Sequence, residues 1–164
     1  MSDGSDGSVR DGSDGTNPGP RSPAAEIVDR HLRIGWWALL VYLTLGLGLE
    51  ALNGFKIGWY LDVDQELRRS MLRLAHAHGA LLGLCNLAFA STLRGGRGPA
   101  RIGLASSCFV LATILLPAGF LLGGLVTYDG DPGLGIVLTP IGALALVIGV
   151  ALVARSTLRG PPGR

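Results

Sequence analysis

Two histidines lie close together in a stretch of the chain that is otherwise apolar enough to cross a membrane. The segment RLAHAHGALLGLCN, residues 73–86, contains His76 and His78, two of the three histidines in the sequence. An imidazole can ligate haem iron or a metal ion, transfer a proton or hydrogen-bond to a neighbouring helix. Because polar side chains are costly at membrane depth, the two histidines are candidates for function.

The spacing of these residues predicts which way each one faces. Residues two apart on a helix differ by about 200°, so His76 and His78 cannot hold one ion together. His76 shares a stripe with Gly79 and Gly83, small residues that let helices approach closely. Glu50 lies on a similar stripe of the first apolar stretch, at the predicted depth of His76. We therefore predict that the two stripes meet and that Glu50 lies near His76, whereas His78 faces an apolar side that is open to another subunit or a flat apolar ligand.

Three interpretations of this polar site remain open. Glu50 could hydrogen-bond to the imidazole and tie two helices together, for about 1 kcal/mol. One histidine, His76 by preference, could be an axial ligand of haem b, with Gly79 and Gly83 making room for the porphyrin. His76 and Glu50 could instead ligate copper or zinc, which would require further ligands from another chain. No catalytic residue is assigned.

Composition and hydropathy place the site in a membrane protein. Hydrophobic residues make up 48% of the chain and charged residues 16%, against roughly 25% charged residues in soluble domains. Four apolar stretches reach the roughly 20 residues that span a hydrocarbon core of about 30 Å: residues 34–55, 71–92, 102–126 and 134–154. We predict an all-α integral membrane protein with four transmembrane helices in an up-down bundle. The half of the bundle opposite Glu50 and His76 is predicted to contain only small polar groups, among them Asn86, Ser106 and Thr113.

The remaining segments are polar and predict the domain limits. Residues 1–31 are rich in Ser, Asp and Gly and are predicted to form a disordered cytoplasmic tail. Residues 32–156 form the predicted transmembrane domain, and residues 157–164 a short cytoplasmic tail.

The distribution of basic residues predicts the orientation. Ten of the fourteen Lys and Arg residues fall in the N-terminal segment, in the loop between the second and third apolar stretches, and at the C terminus. The positive-inside rule therefore predicts that both termini are cytoplasmic, in the inner or plasma membrane of a bacterial-type cell. A net charge of +2 is too small and too dispersed to indicate nucleic-acid binding.

The histidine segment resembles two known groups of membrane proteins. Ala75, His76, Gly79 and Gly83 form a pattern Ala-His-x-x-Gly-x-x-x-Gly that is similar to one in hydroxylaminobenzene mutase and styrene oxide isomerase. Those are small four-helix membrane proteins, and the isomerase carries haem b as a Lewis acid. The His-Ala-His string also resembles short bacterial proteins similar to a fragment of haem-copper oxidase subunit I, in which a proline-containing third helix follows, as with Pro117 here.

These resemblances imply a haem-b-associated redox or isomerase-like protein with its site around His76. The alternative, from a different class, is a non-catalytic accessory or assembly subunit. Besides the lipid bilayer, its partners would then be further copies of itself or a larger membrane complex.

Overall fold

The described part of the chain is mostly helical. The computed structural model describes residues 22–61, 66–128 and 130–158. It contains five α-helices: α1 (Pro23–Gly54), α2 (Gly58–Leu61), α3 (Glu66–Arg94), α4 (Ile102–Leu125) and α5 (Leu138–Leu158). Two short antiparallel strands, β1 (Thr127–Tyr128) and β2 (Asp131–Pro132), and a 3-10 helix (Leu134–Val137) connect α4 to α5.

Four helical segments are long and apolar enough to cross a membrane. They are α1, α3, α4, and α5 together with the 3-10 helix before it. The four predicted helices are therefore confirmed as elements of the fold. Short connections join them, so successive long helices run in opposite directions. We call the end where α1 and α4 begin the basal end, and the opposite end the distal end.

Helix α1 begins well before the first apolar stretch. The Ser22 side chain accepts a hydrogen bond from the Ala25 amide at 3.3 Å, and Pro23 occupies the first turn. Both residues are typical of a helix start, because serine satisfies an otherwise unpaired amide and proline has a helical φ angle. The predicted boundary at residue 31 consequently falls inside α1. The rest of the predicted tail, residues 1–21, and residues 159–164 lie outside the described part of the chain.

The four long helices form an open row. Helix α1 packs against α3, α3 against α4 and α4 against α5, so α1 and α5 form the two edges. Burial follows this order: in the most apolar window of each span, 50% of the residues are buried in α4 and 39% in α3, but 22% in α1 and 11% in α5. The up-down order along the chain agrees with the prediction, whereas the arrangement does not close into a compact bundle.

Glycines bring α1 and α3 into close contact. A Cβ atom added to Gly79 would overlap the Tyr42 ring, and one added to Gly83 would press on the Gly35 carbonyl and on Leu39. The small-residue stripe of α3 therefore packs directly on α1, as predicted, but Glu50, which was predicted to lie at this contact, is exposed. Such close backbone approach is the usual way in which helices associate in lipid.

Replacing one of these glycines tests the packing. We expect Gly79→Ala to lower the free energy of unfolding by about 1–3 kcal/mol, because its methyl group must displace the Tyr42 ring. Gly48→Ala is the matched control, since nothing lies within 4 Å of the added Cβ atom. The measurement is the unfolding midpoint of the detergent-purified protein. Equal midpoints for the two variants would show that α1 and α3 do not pack as described.

Candidate functional site

His31, near the basal end of α1, is one of three fully buried polar residues in the described part of the chain, together with Asn86 and Ser106. Its side chain is 0% exposed. Its Nδ1 atom lies 2.6 Å from Oδ1 of Asn86 on α3, and its Nε2 atom lies 2.7 Å from Oγ of Ser106 on α4. The imidazole of one α1 residue therefore contacts both α3 and α4 and joins three helices.

The hydrogen bonds of Asn86 determine which ring nitrogen of His31 carries the proton. The Asn86 amide nitrogen donates to the Leu82 carbonyl at 2.8 Å and to Oγ1 of Thr113 at 2.7 Å, so its two hydrogens are used. Its oxygen must then accept from Nδ1–H of His31. Nε2 is left to accept from the Ser106 hydroxyl. Both nitrogens of the imidazole are thus paired.

The network continues to the surface and is enclosed by aromatic rings. The exposed Arg30 guanidinium donates to Oγ of Ser106. Phe89 and Phe109 stand edge-on to the His31 ring, with centroids 4.8 and 6.5 Å away. Hydrogen bonds in such apolar surroundings are stronger than in water, and an unpaired member is more costly. We call Arg30, His31, Asn86, Ser106 and Thr113 the His31 network.

Sequence reasoning identified the partners of this network but not its centre. Asn86, Ser106 and Thr113 were grouped as small polar residues of one half of the bundle, whereas His31 was assigned to the tail. A signal was present: Val28, His31, Gly35 and Ala38 are buried and follow each other at helical spacings of three, four and three. The charged residues between them lower the mean hydropathy of the segment, so a hydropathy average does not reveal this pattern.

His76 ties α3 to α1, but through a different acceptor from the one predicted. Its Nδ1 atom donates to the Tyr42 carbonyl at 2.6 Å, and its ring lies against Gly46. Glu50 is exposed, and no hydrogen bond between described residues joins it to His76. Because Gly46 has no side chain, the imidazole reaches the α1 backbone, where a carbonyl is the nearer acceptor. The interpretation of a structural tie is supported, with Tyr42 in place of Glu50.

His78 faces α4, not an open side of the molecule. Its Nδ1 atom donates to the Leu74 carbonyl of its own helix at 2.9 Å, and its ring packs on Phe120 with centroids 4.9 Å apart. The neighbouring Leu82 is buried against Ala112 of α4. The face that was predicted to meet another subunit is therefore covered from within the chain.

The predicted cofactor residues do not form a cradle for haem. The space beside Gly79 and Gly83, which was expected to admit a porphyrin, is filled by Tyr42 and Leu39 of α1. Glu50 is exposed, and His76 and His78 turn to different helices. Within residues 22–61, 66–128 and 130–158, no group of three or more His, Cys, Asp or Glu residues could hold a metal ion. Helix α1 thus occupies the space at Gly79 and Gly83, and haem ligation by His76 stays a prediction.

Comparison with protein-family models, with curated proteins and with solved structures finds no match to this chain.

The His31 network predicts a measurable coupling between helices. We expect His31→Ala to reduce the free energy of unfolding by about 1–3 kcal/mol, because it leaves the Asn86 oxygen and the Ser106 hydroxyl buried without their partner. Combining it with Asn86→Ala in a double-mutant cycle should give a coupling energy of about 0.5–3 kcal/mol. Unfolding of the purified protein in detergent provides both values.

His78→Ala is the control for this cycle. Its imidazole bonds only within α3, so we expect a smaller loss than for His31→Ala. A loss as large as that of His31→Ala, or a coupling energy of zero in the cycle, would contradict the role assigned to His31.

Proposed function

We propose that this chain is a multi-pass membrane protein with four spans and cytoplasmic termini, and that it serves as a non-catalytic subunit that assembles laterally along α1. The observation that carries the proposal is an exposed stripe on α1 that ends in an ionisable residue. The geometry of His31 supports a structural role, since both of its ring nitrogens are engaged in joining helices.

The stripe on α1 has the repeat of a helix-packing surface. Trp36, Leu40, Leu43 and Leu47 are 64%, 57%, 56% and 72% exposed, and they follow each other at spacings of four, three and four. Glu50 continues the repeat three residues later. An alternation of three and four places side chains along one seam, as in coiled coils and left-handed helix pairs.

Glu50 distinguishes this stripe from a surface made for lipid alone. It lies four residues before the end of α1, about 6 Å inside the helix. Ionisable residues of membrane spans almost always face a protein interior or a water-filled cavity, or pair with another polar group. An exposed Glu50 therefore favours a second chain against this side of α1. Asn53, one turn further on and also exposed, offers such a partner a second polar contact.

The other edge of the row is suited to lipid. Helix α5 presents Ile141, Leu144 and Val147, which are 52%, 63% and 64% exposed. No charged residue occurs from residue 134 to residue 154. Large aliphatic side chains without polar neighbours meet hydrocarbon tails at no cost. The two edges thus differ in chemistry, and α1 is the one suited to a protein partner.

Cysteine accessibility tests the proposed orientation. In a background in which both native cysteines are replaced by alanine, we expect a membrane-impermeant maleimide to label Asp131→Cys in intact cells. Thr157→Cys, at the basal end, should react only after the cells are permeabilised. Both positions are exposed, so access to reagent depends on the side of the membrane. The reverse pattern would place the termini outside.

Disulfide cross-linking tests the proposed assembly. In the same background, we expect Leu47→Cys to give a disulfide-linked adduct under mild oxidation in native membranes, because Leu47 is the most exposed apolar residue of the stripe and lies about one turn before Glu50. Leu144→Cys on α5, which is similarly exposed, is the matched control and should stay uncross-linked. Adding Glu50→Leu should weaken the adduct of Leu47→Cys. Equal cross-linking at the two edges would show random collision and contradict the assembly.

A further inference from the structure

A basic groove opens at the basal end between the start of α4 and the end of α5. It has a volume of about 500 Å3, and its lining residues are Gly98, Pro99, Ala100, Arg101, Leu152, Arg155 and Ser156. We infer that this basic groove binds the phosphate headgroup of an anionic phospholipid. The inference rests on the proposed membrane placement and not on the proposed assembly along α1.

The walls of the groove are held together by a contact between the loop and α5. The single hydrogen of the Ser156 hydroxyl is shared between the Val153 carbonyl of its own helix at 2.7 Å and the Arg97 carbonyl at 3.2 Å, so the loop between α3 and α4 lies against the last turn of α5. Pro99 in this loop is buried. The fold therefore brings Arg101 and Arg155 to the same groove, where both side chains are exposed.

The charge of the groove is uncompensated by its own residues. None of the lining residues is acidic, and the sequence has no Asp or Glu between Glu66 and Asp129 or after Asp131. Guanidinium groups bind phosphate oxygens through paired, charge-assisted hydrogen bonds. Two arginines facing one cavity are thus complementary to a phosphate group.

The position of the groove favours a lipid as the source of that phosphate. It lies where one membrane-length helix begins and another ends, which is the level of the headgroups in the proposed placement. Leu152 forms part of the wall, and Ile148 and Ile141 follow it on the same side of α5, 41% and 52% exposed. This apolar track leads from the arginines towards the middle of the span. Basic pockets at the cytoplasmic ends of membrane helices commonly bind anionic lipid headgroups in this way.

A lipid titration with charge-matched variants tests the inference. The full-length protein in detergent is titrated with short-chain phosphatidylglycerol and, separately, with phosphatidylcholine, and bound lipid is counted by native mass spectrometry. We expect phosphatidylglycerol to bind more tightly. The double variant Arg101→Gln/Arg155→Gln should weaken its binding by roughly 10- to 30-fold.

The control removes the same charge from the same end of the molecule. Arg33→Gln/Arg94→Gln changes two exposed arginines that do not line the groove, and binding should change by less than roughly threefold, well below the groove variant. Equal losses in the two double variants would show unspecific attraction and overturn the inference. Equal binding of the two lipids would overturn it as well, and so would inorganic phosphate that displaces phosphatidylglycerol at equal concentration.

Two further measurements keep the result interpretable. Arg155→Gln alone changes one exposed side chain in the last turn of α5 and should give part of the loss without affecting the unfolding midpoint. Resistance of the protein to extraction from membranes by alkaline carbonate is measured first. Extraction by carbonate contradicts the membrane placement itself, whereas resistance combined with an absence of lipid preference contradicts only the groove.

Discussion

His31 joins the first helix to both the third and the fourth through two buried hydrogen bonds. Helix α1 packs mainly on α3 and meets α4 over a much smaller surface, so a bond to α4 matters for its position relative to that helix. The bond from His31 to Asn86 holds α1 to α3, and the bond to Ser106 connects α1 with α4. A single imidazole therefore helps to hold α1 in place against both helices, together with the apolar packing of Ile27 on the cluster of Phe89, Ala105 and Phe109. The aromatic rings around it exclude competing water and strengthen both bonds.

The number of helices and the α1–α3 contact could be predicted from the sequence because they follow from local patterns. A backbone in hydrocarbon must satisfy its own hydrogen bonds, so each long apolar stretch predicts one helix. The glycine spacing of Gly79 and Gly83 indicates a face on which another helix can lie closely. Both features depend on side chains that are visible in the sequence, and both agree with the structure.

The remaining features depend on partners that local patterns do not contain. The acceptor of His76 is the backbone carbonyl of Tyr42. Every residue has such a carbonyl, so the sequence does not indicate which one a histidine will bind. The burial of His31 was not predicted, because the charged residues Asp29, Arg30 and Arg33 lower the hydropathy of this segment. The start of α1 was therefore assigned to the polar tail. The arrangement of the helices in an open row could not be predicted from the sequence either. The hydropathy of α5, the most apolar span, is the same whether lipid or protein covers the helix.

Depth and direction together decide whether polar residues form one site. Glu50, His76 and His78 were grouped because they share a depth, yet His76 turns to α1, His78 to α4 and Glu50 to the outside. The two histidines thereby contribute to helix packing, whereas Glu50 is exposed, and no hydrogen bond to it is found within the described residues. The α1 edge of the row has an exposed ionisable residue, whereas the α5 edge exposes aliphatic side chains. In the proposed membrane placement, the two edges would therefore differ in how well they suit lipid. The proposed lateral assembly follows from this asymmetry, since only the α1 edge gains from exchanging lipid for protein.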